Sequence, residues 1–99
     1  MPKTKRSKLE IYNDVLAAIK LELARGDGEV RLTRVQLRCN VAYDRLSRYL
    51  DELEGKHLIS QTPLNLTEKG RNLLLDYDRI QVFLQSLGVK YLEEKDDGR

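Results

Sequence analysis

Apolar residues recur at Leu9, Tyr12, Leu16, Ile19 and Leu23, with Val15 beside them, at intervals that alternate between three and four. That spacing puts one apolar stripe on one face and predicts a helix over residues 8–24. Ser7 stands three residues before Glu10, a capping box in which each side chain takes a backbone N–H that the helix start leaves free. Gly26 follows as a left-handed stop. Glu29-Val30-Arg31-Leu32 alternates polar and apolar, which predicts a short strand with Thr33 as the next cap. A second helix runs from Arg34 to Cys39, with Val35 and either Leu37 or Cys39 turned inward. Asn40-Val41-Ala42 is the turn. A third helix spans Tyr43 to Gly55, its inner stripe Leu46, Tyr49, Leu50 and Leu53. His57 to Gln61 and Leu64 to Leu66 read as a hairpin turned at Thr62-Pro63, because Pro63 cannot donate to a ladder. Thr67 then caps a last helix, expected over 67–92 or ending near residue 87 at Gly88. In it Leu73, Tyr77, Ile80, Leu84, Leu87 and Tyr91 follow a heptad rhythm. Tyr12, Tyr49 and Tyr77 fall at core spacing.

The expected fold is therefore mainly α with a small β-wing: a winged helix-turn-helix followed by a long C-terminal helix. It divides into a basic arm (1–7), the winged unit (8–66), a C-terminal dimerisation helix (67–92) and a polar tail (93–99). A helix of this length exceeds what a core this small covers, so part of its seam is expected against the first helix and the rest against a second copy, making a homodimer joined by a coiled coil.

Charge adds direction to this frame. The 99 residues carry a net charge of only +2, but residues 31–48 hold Arg31, Arg34, Arg38, Arg45 and Arg48 against Asp44 alone. Lys3, Lys5, Arg6 and Lys8 crowd the start. A basic segment inside a near-neutral chain points to a one-sided face for a polyanion. One Cys and one His exclude a disulfide framework and a Cys/His zinc site within one chain. No phosphate loop, dinucleotide fingerprint or nucleophile elbow occurs, and no His is placed to serve a triad, so neither an enzyme, a cofactor nor a small-molecule ligand is expected. No apolar run approaches the roughly 20 residues of a membrane helix. The basic start leads into no apolar stretch, so the expected location is the cytoplasm, in association with the nucleoid.

The segments Lys5-Arg6-Ser7-Lys8-Leu9-Glu10-Ile11, Thr33-Arg34, Tyr43 through Leu53 and Leu66-Thr67-Glu68-Lys69-Gly70 resemble the archaeal winged-helix DNA-binding proteins of the ten-kilodalton "10a" chromatin type. They also resemble related small archaeal winged-helix transcriptional regulators. The resemblance covers about residues 5–87. It implies a long last helix that pairs antiparallel with its twin in an elongated dimer carrying two DNA-reading heads. The sequence departs from that pattern at Ala42, where many relatives have a capping Ser or Thr, in a wing without Lys or Arg, and at Gly88. The modest net charge tilts the expectation towards a transcriptional regulator rather than an abundant chromatin coat.

On this frame Arg45 and Arg48, beside Tyr43 and Ser47, are the candidate readers of duplex DNA, because a guanidinium matches a guanine edge with two hydrogen bonds. Arg34 and Arg38, four apart, are candidate phosphate contacts. Lys5 and Arg6 belong to a candidate arm, and Gln61 and Asn65 to the wing. Leu73, Tyr77, Ile80, Leu84 and Leu87 form the candidate dimer seam. Two competing readings stand beside these. Arg48 could pair within its own helix, with Asp44, Asp51 or Glu52. The acids of the third helix and the uncharged wing could instead serve a protein–protein module that does not bind DNA.

Overall fold

The computed structural model describes residues 6–26 and 28–88. Four helices and one hairpin follow in order: α1 (Lys8–Arg25), α2 (Leu32–Cys39), α3 (Tyr43–Gly55), β1 (Ile59–Gln61), β2 (Leu64–Leu66) and α4 (Glu68–Ser86). The arrangement is the mainly helical winged fold that the hydrophobic pattern predicts.

α1 forms where the caps place it. Ser7 Oγ accepts from Glu10 N–H, and Glu10 Oε1 accepts from Ser7 N–H. Gly26, at φ 69°, closes the other end and returns its N–H to the Leu23 carbonyl. The core is built around this helix. Val15, Leu16 and Ile19 are fully buried against Val35 and Cys39 of α2, Leu46, Leu50 and Leu53 of α3, and Leu58, Ile59 and Leu66 of the wing. The Tyr12 and Tyr49 rings meet edge to face at 6.3 Å.

The strand expected at Glu29–Leu32 does not form: the sheet has two strands, and Val30 and Arg31 pair with neither. α2 instead starts at Leu32, with Arg31 rather than Thr33 at its N-cap and no side-chain cap. Starting there places Leu32, Val35 and Cys39 on one helical face, and that face is the one packed on the core. Leu37 falls off it and is 79% exposed. An open groove of about 820 Å³ lies between this segment and the hairpin, its lining including Val30, Leu32, Pro63 and Leu64.

β1 and β2 are antiparallel, with Ile59 opposite Leu66 and Gln61 opposite Leu64 around a cis Thr62-Pro63 peptide. At the root of the wing, Thr67 N–H donates to the Leu58 carbonyl. The Thr67 hydroxyl accepts from Gly70 N–H and donates to the His57 carbonyl, so one side chain caps α4 and ties it to the end of α3. Gly70 lies so close to the wing root that a Cβ there would overlap the Leu58 carbonyl oxygen, at 2.1 Å.

α4 begins under the Thr67 cap and is capped at Leu87; Gly88 follows at φ 79°. Leu73 and Leu74 pack on the core, and Tyr77 is half-buried. Beyond them Ile80, Phe83 and Leu87 are each more than half exposed. Lys5, Tyr91 and the polar tail lie outside the described residues.

Candidate nucleic-acid interface

α3 follows α2 across a tight turn and completes the helix-turn-helix. Asn40 adopts the left-handed conformation and ends α2, and Val41 is buried beneath the turn. Ala42 is the N-cap of α3 and offers no side-chain acceptor. Asp44 Oδ1 takes the Arg45 N–H at 3.0 Å instead, so one of the donors orphaned at a helix start is satisfied from within the first turn.

Tyr43, Arg45, Ser47 and Arg48 are all exposed on this helix. The intrahelical pairs that would neutralise Arg48 do not form, because the other acids of α3 are used elsewhere. Asp51 Oδ1 and Glu54 Oε1 accept from the Gln61 amide at 3.0 and 2.8 Å, and Glu54 Oε2 takes the Gln61 N–H. Glu52 Oε1 accepts from the Tyr12 hydroxyl at 2.6 Å and lies 3.4 Å from Lys8 Nζ. Burial, together with the hydrogen bond to this carboxylate, pushes the Tyr12 pKa up to about 12; the same hydrogen bond, with Lys8 nearby, holds Glu52 below the usual carboxylate range. Among the described residues Arg45 and Arg48 have no carboxylate partner.

The other candidate cations differ. Arg6 does not extend as a free arm: its guanidinium donates to the Cys39 and Asn40 carbonyls, both at 2.9 Å, and to Asp14 at 2.8 Å. It therefore caps the end of α2, where a cation meets the negative end of the helix dipole. Arg38 Nε contacts Glu22 Oε2 at 2.5 Å, and Arg34 Nε lies 3.9 Å from Glu22 Oε1. On the wing, Asn65 is exposed and its Oδ1 accepts from Leu66 N–H. Gln61 is half-buried, and its amide is taken by α3. Sequence reasoning did not single out Glu22, although it sits three residues after Ile19 and seven after Val15, in register with the buried stripe of α1.

Cys39 is buried, which raises its thiol pKa. His57 follows the end of α3 at φ 65° and lines a shallow bay with Lys56 and Lys69. Among the described residues no group of His, Cys, Asp and Glu is placed to hold a metal ion, and no helix is long and apolar enough to cross a membrane.

A family model described as winged helix-turn-helix matches residues 5–85, most of the chain. Domains of this kind are in general DNA-binding and typically not enzymes. No curated protein matches the chain at a significant level.

Proposed function

Because the chain belongs to the winged helix-turn-helix family, we propose that it binds double-stranded DNA with α3 in the major groove and acts as a homodimeric transcriptional regulator. The observation that carries this reading is the pair of exposed guanidiniums on α3, Arg45 and Arg48, without a carboxylate partner among the described residues, on a helix whose Asp51, Glu52 and Glu54 hold the wing and α1. An α-helix fits the major groove, and Arg is the commonest side chain on guanine edges there. Tyr43 and Ser47 flank the pair. Arg34 and Arg38 contact phosphates, and Lys5 extends the contact from the arm. Asn65 lies at the wing edge, and the wing contributes no cation.

The homodimer rests on α4. Ile80, Phe83, Leu84 and Leu87 share one face, in line with Leu73 and Tyr77, and three of the four are more than half exposed. A self-complementary apolar face of this kind is covered by a second α4. The same feature supports the closer kinship with the archaeal 10a-type proteins and small archaeal regulators, and with it a place on the nucleoid.

The test is a fluorescence-anisotropy titration of specific and random duplexes across salt concentrations. Binding at low salt that weakens steeply with added salt is expected, with Arg45→Ala far weaker than Lys20→Ala. Absence of binding at low salt would overturn the reading and favour the protein–protein module. In sedimentation, Leu84→Glu should leave monomers from a wild-type dimer.

A further inference from the structure

Among the described residues, the charged residue buried in the core is Glu22, 5% exposed on the face of α1 that packs on α2. A buried carboxylate without partners is strongly unfavourable. This one is compensated several times over: Arg38 Nε sits 2.5 Å from Oε2, while Arg25 Nε and Arg34 Nε lie 3.8 and 3.9 Å from Oε1. Arg34 and Arg38 alone, two guanidiniums around one carboxylate, leave a surplus of positive charge. A fold that only needed to neutralise Glu22 would need one.

The approach is also one-sided. Arg38 donates to Glu22 through Nε, the inner edge of the guanidinium, and Nε is also the Arg34 atom nearest Glu22, at ion-pair distance without a hydrogen bond. Their terminal Nη groups meet no acceptor among the described residues, and the two side chains are 47% and 39% exposed. A guanidinium held at its inner edge presents its outer fork to solvent, and that planar fork matches two oxygens of a phosphate. Arg34 and Arg38 stand four apart on α2, so both forks leave the same face. Left alone, two such cations repel each other and sample many rotamers. The shared carboxylate offsets the repulsion and, through the Arg38 hydrogen bond, restricts rotamer freedom before any ligand arrives.

We propose that Glu22 is a positioning residue that holds Arg34 and Arg38 ready as a two-pronged binding site for DNA backbone phosphate. The proposal rests on the DNA-binding reading above and adds to it a buried acid whose role is to strengthen the grip on a polyanion. That role is opposite to what charge counting predicts. If Glu22 merely shielded its arginines, Glu22→Gln would add a unit of positive charge and tighten binding. If it positions them, the same substitution weakens binding.

The experiment is an anisotropy titration of a random duplex at several salt concentrations. Wild type, Glu22→Gln and Arg34→Ala/Arg38→Ala are compared, together with Glu22→Gln in the doubly substituted background. Glu22→Gln is expected to bind roughly 3- to 10-fold more weakly and to flatten the plot of log affinity against log salt by about one, as removal of one phosphate interaction does. Partial unfolding would lower the fraction of active protein and leave that slope alone. In the background without Arg34 and Arg38, Glu22→Gln has nothing to position and no longer weakens binding. Arg38→Lys supplies an independent check should Glu22→Gln fail to fold: it keeps the charge and removes the fork. Binding at least about 3-fold weaker is expected, since an ammonium cannot reproduce the bidentate geometry, and an unchanged affinity overturns the proposal. Equal or tighter binding by Glu22→Gln, or an unchanged slope, also overturns it. A wild-type protein that binds no duplex refutes the DNA reading itself, whereas binding indifferent to Glu22 refutes only this role.

Discussion

Two sets of arginines lie on neighbouring helices and are held in opposite ways. On α3, Arg45 and Arg48 are exposed and have no carboxylate partner among the described residues. On α2, Arg34 and Arg38 are gathered onto a buried carboxylate of α1. Residue type is the same in both sets, and spacing nearly so. The difference lies in what stands behind each guanidinium. An unanchored side chain keeps the rotamer freedom needed to adapt to base edges that vary with sequence. An anchored one suits a sugar–phosphate chain, whose geometry repeats.

The sharpest way to break this contrast is to remove the α3 pair. Arg45→Ala with Arg48→Ala should cost about 1–3 kcal/mol for each base edge that is no longer read. Any preference between specific and random duplexes in the anisotropy titration should go with it. Arg34→Ala should have a smaller effect, roughly 3- to 10-fold, equal for every sequence and accompanied by a shallower salt slope. If Arg34→Ala altered sequence preference, or Arg45→Ala lowered all affinities alike, the division would fail. Lys20→Ala, on α1 away from both sets, should change affinity by less than about twofold and serves as the control for charge alone.

A further prediction sharpens the reason why the α3 arginines are unpaired: Glu52 is committed to Tyr12. The Tyr12 hydroxyl has its pKa raised from the ordinary 10.0 to about 12. Its neutral form is the one the fold favours. The associated stability is therefore complete below about pH 10 and falls away as pH rises from 10.0 to about 12. Thermal melting of the wild type should show a falling Tm across that window, and Tyr12→Phe should show a flatter profile. Identical profiles would contradict the link. Glu52, whose pKa is lowered, has the opposite sign: its contribution is present above the ordinary carboxylate pKa and fades as pH falls through the lowered one.

Much of the fold could be read locally. The Ser7–Glu10 capping box, the Gly26 stop, the bounds of α3 and the Thr67 cap all depend on residues within a few positions of each other, and all stand as read. The strand at Glu29–Leu32 did not, because alternation over four residues is equally consistent with a loop that leads into a helix. Burial of Leu32 in phase with Val35 and Cys39 decided for the helix. The candidate site was less legible, for one physical reason: its side chains are paired across long stretches of chain. Arg6 reaches carbonyls 33 and 34 residues away, and Arg38 reaches back 16 residues to Glu22. Gln61 spans the distance from wing to α3. Periodicity reports which face a residue occupies, not which partner waits there. Glu22 was the exception that could have been noticed, since an acid in register with a buried stripe demands a cation.

The close approach at Gly70 has a mechanical consequence. With its Cα against the Leu58 carbonyl, α4 leaves the wing root without room for a side chain between them. Head and shaft are thereby welded into one lever, and a swivel at this joint would have to open that seam and the Thr67 bonds together. Whatever clasps the distal end of α4 inherits the heading of α3. Two such levers clasped together would present their reading helices at one set pitch and separation, so the choice of target would include a ruler as well as a text.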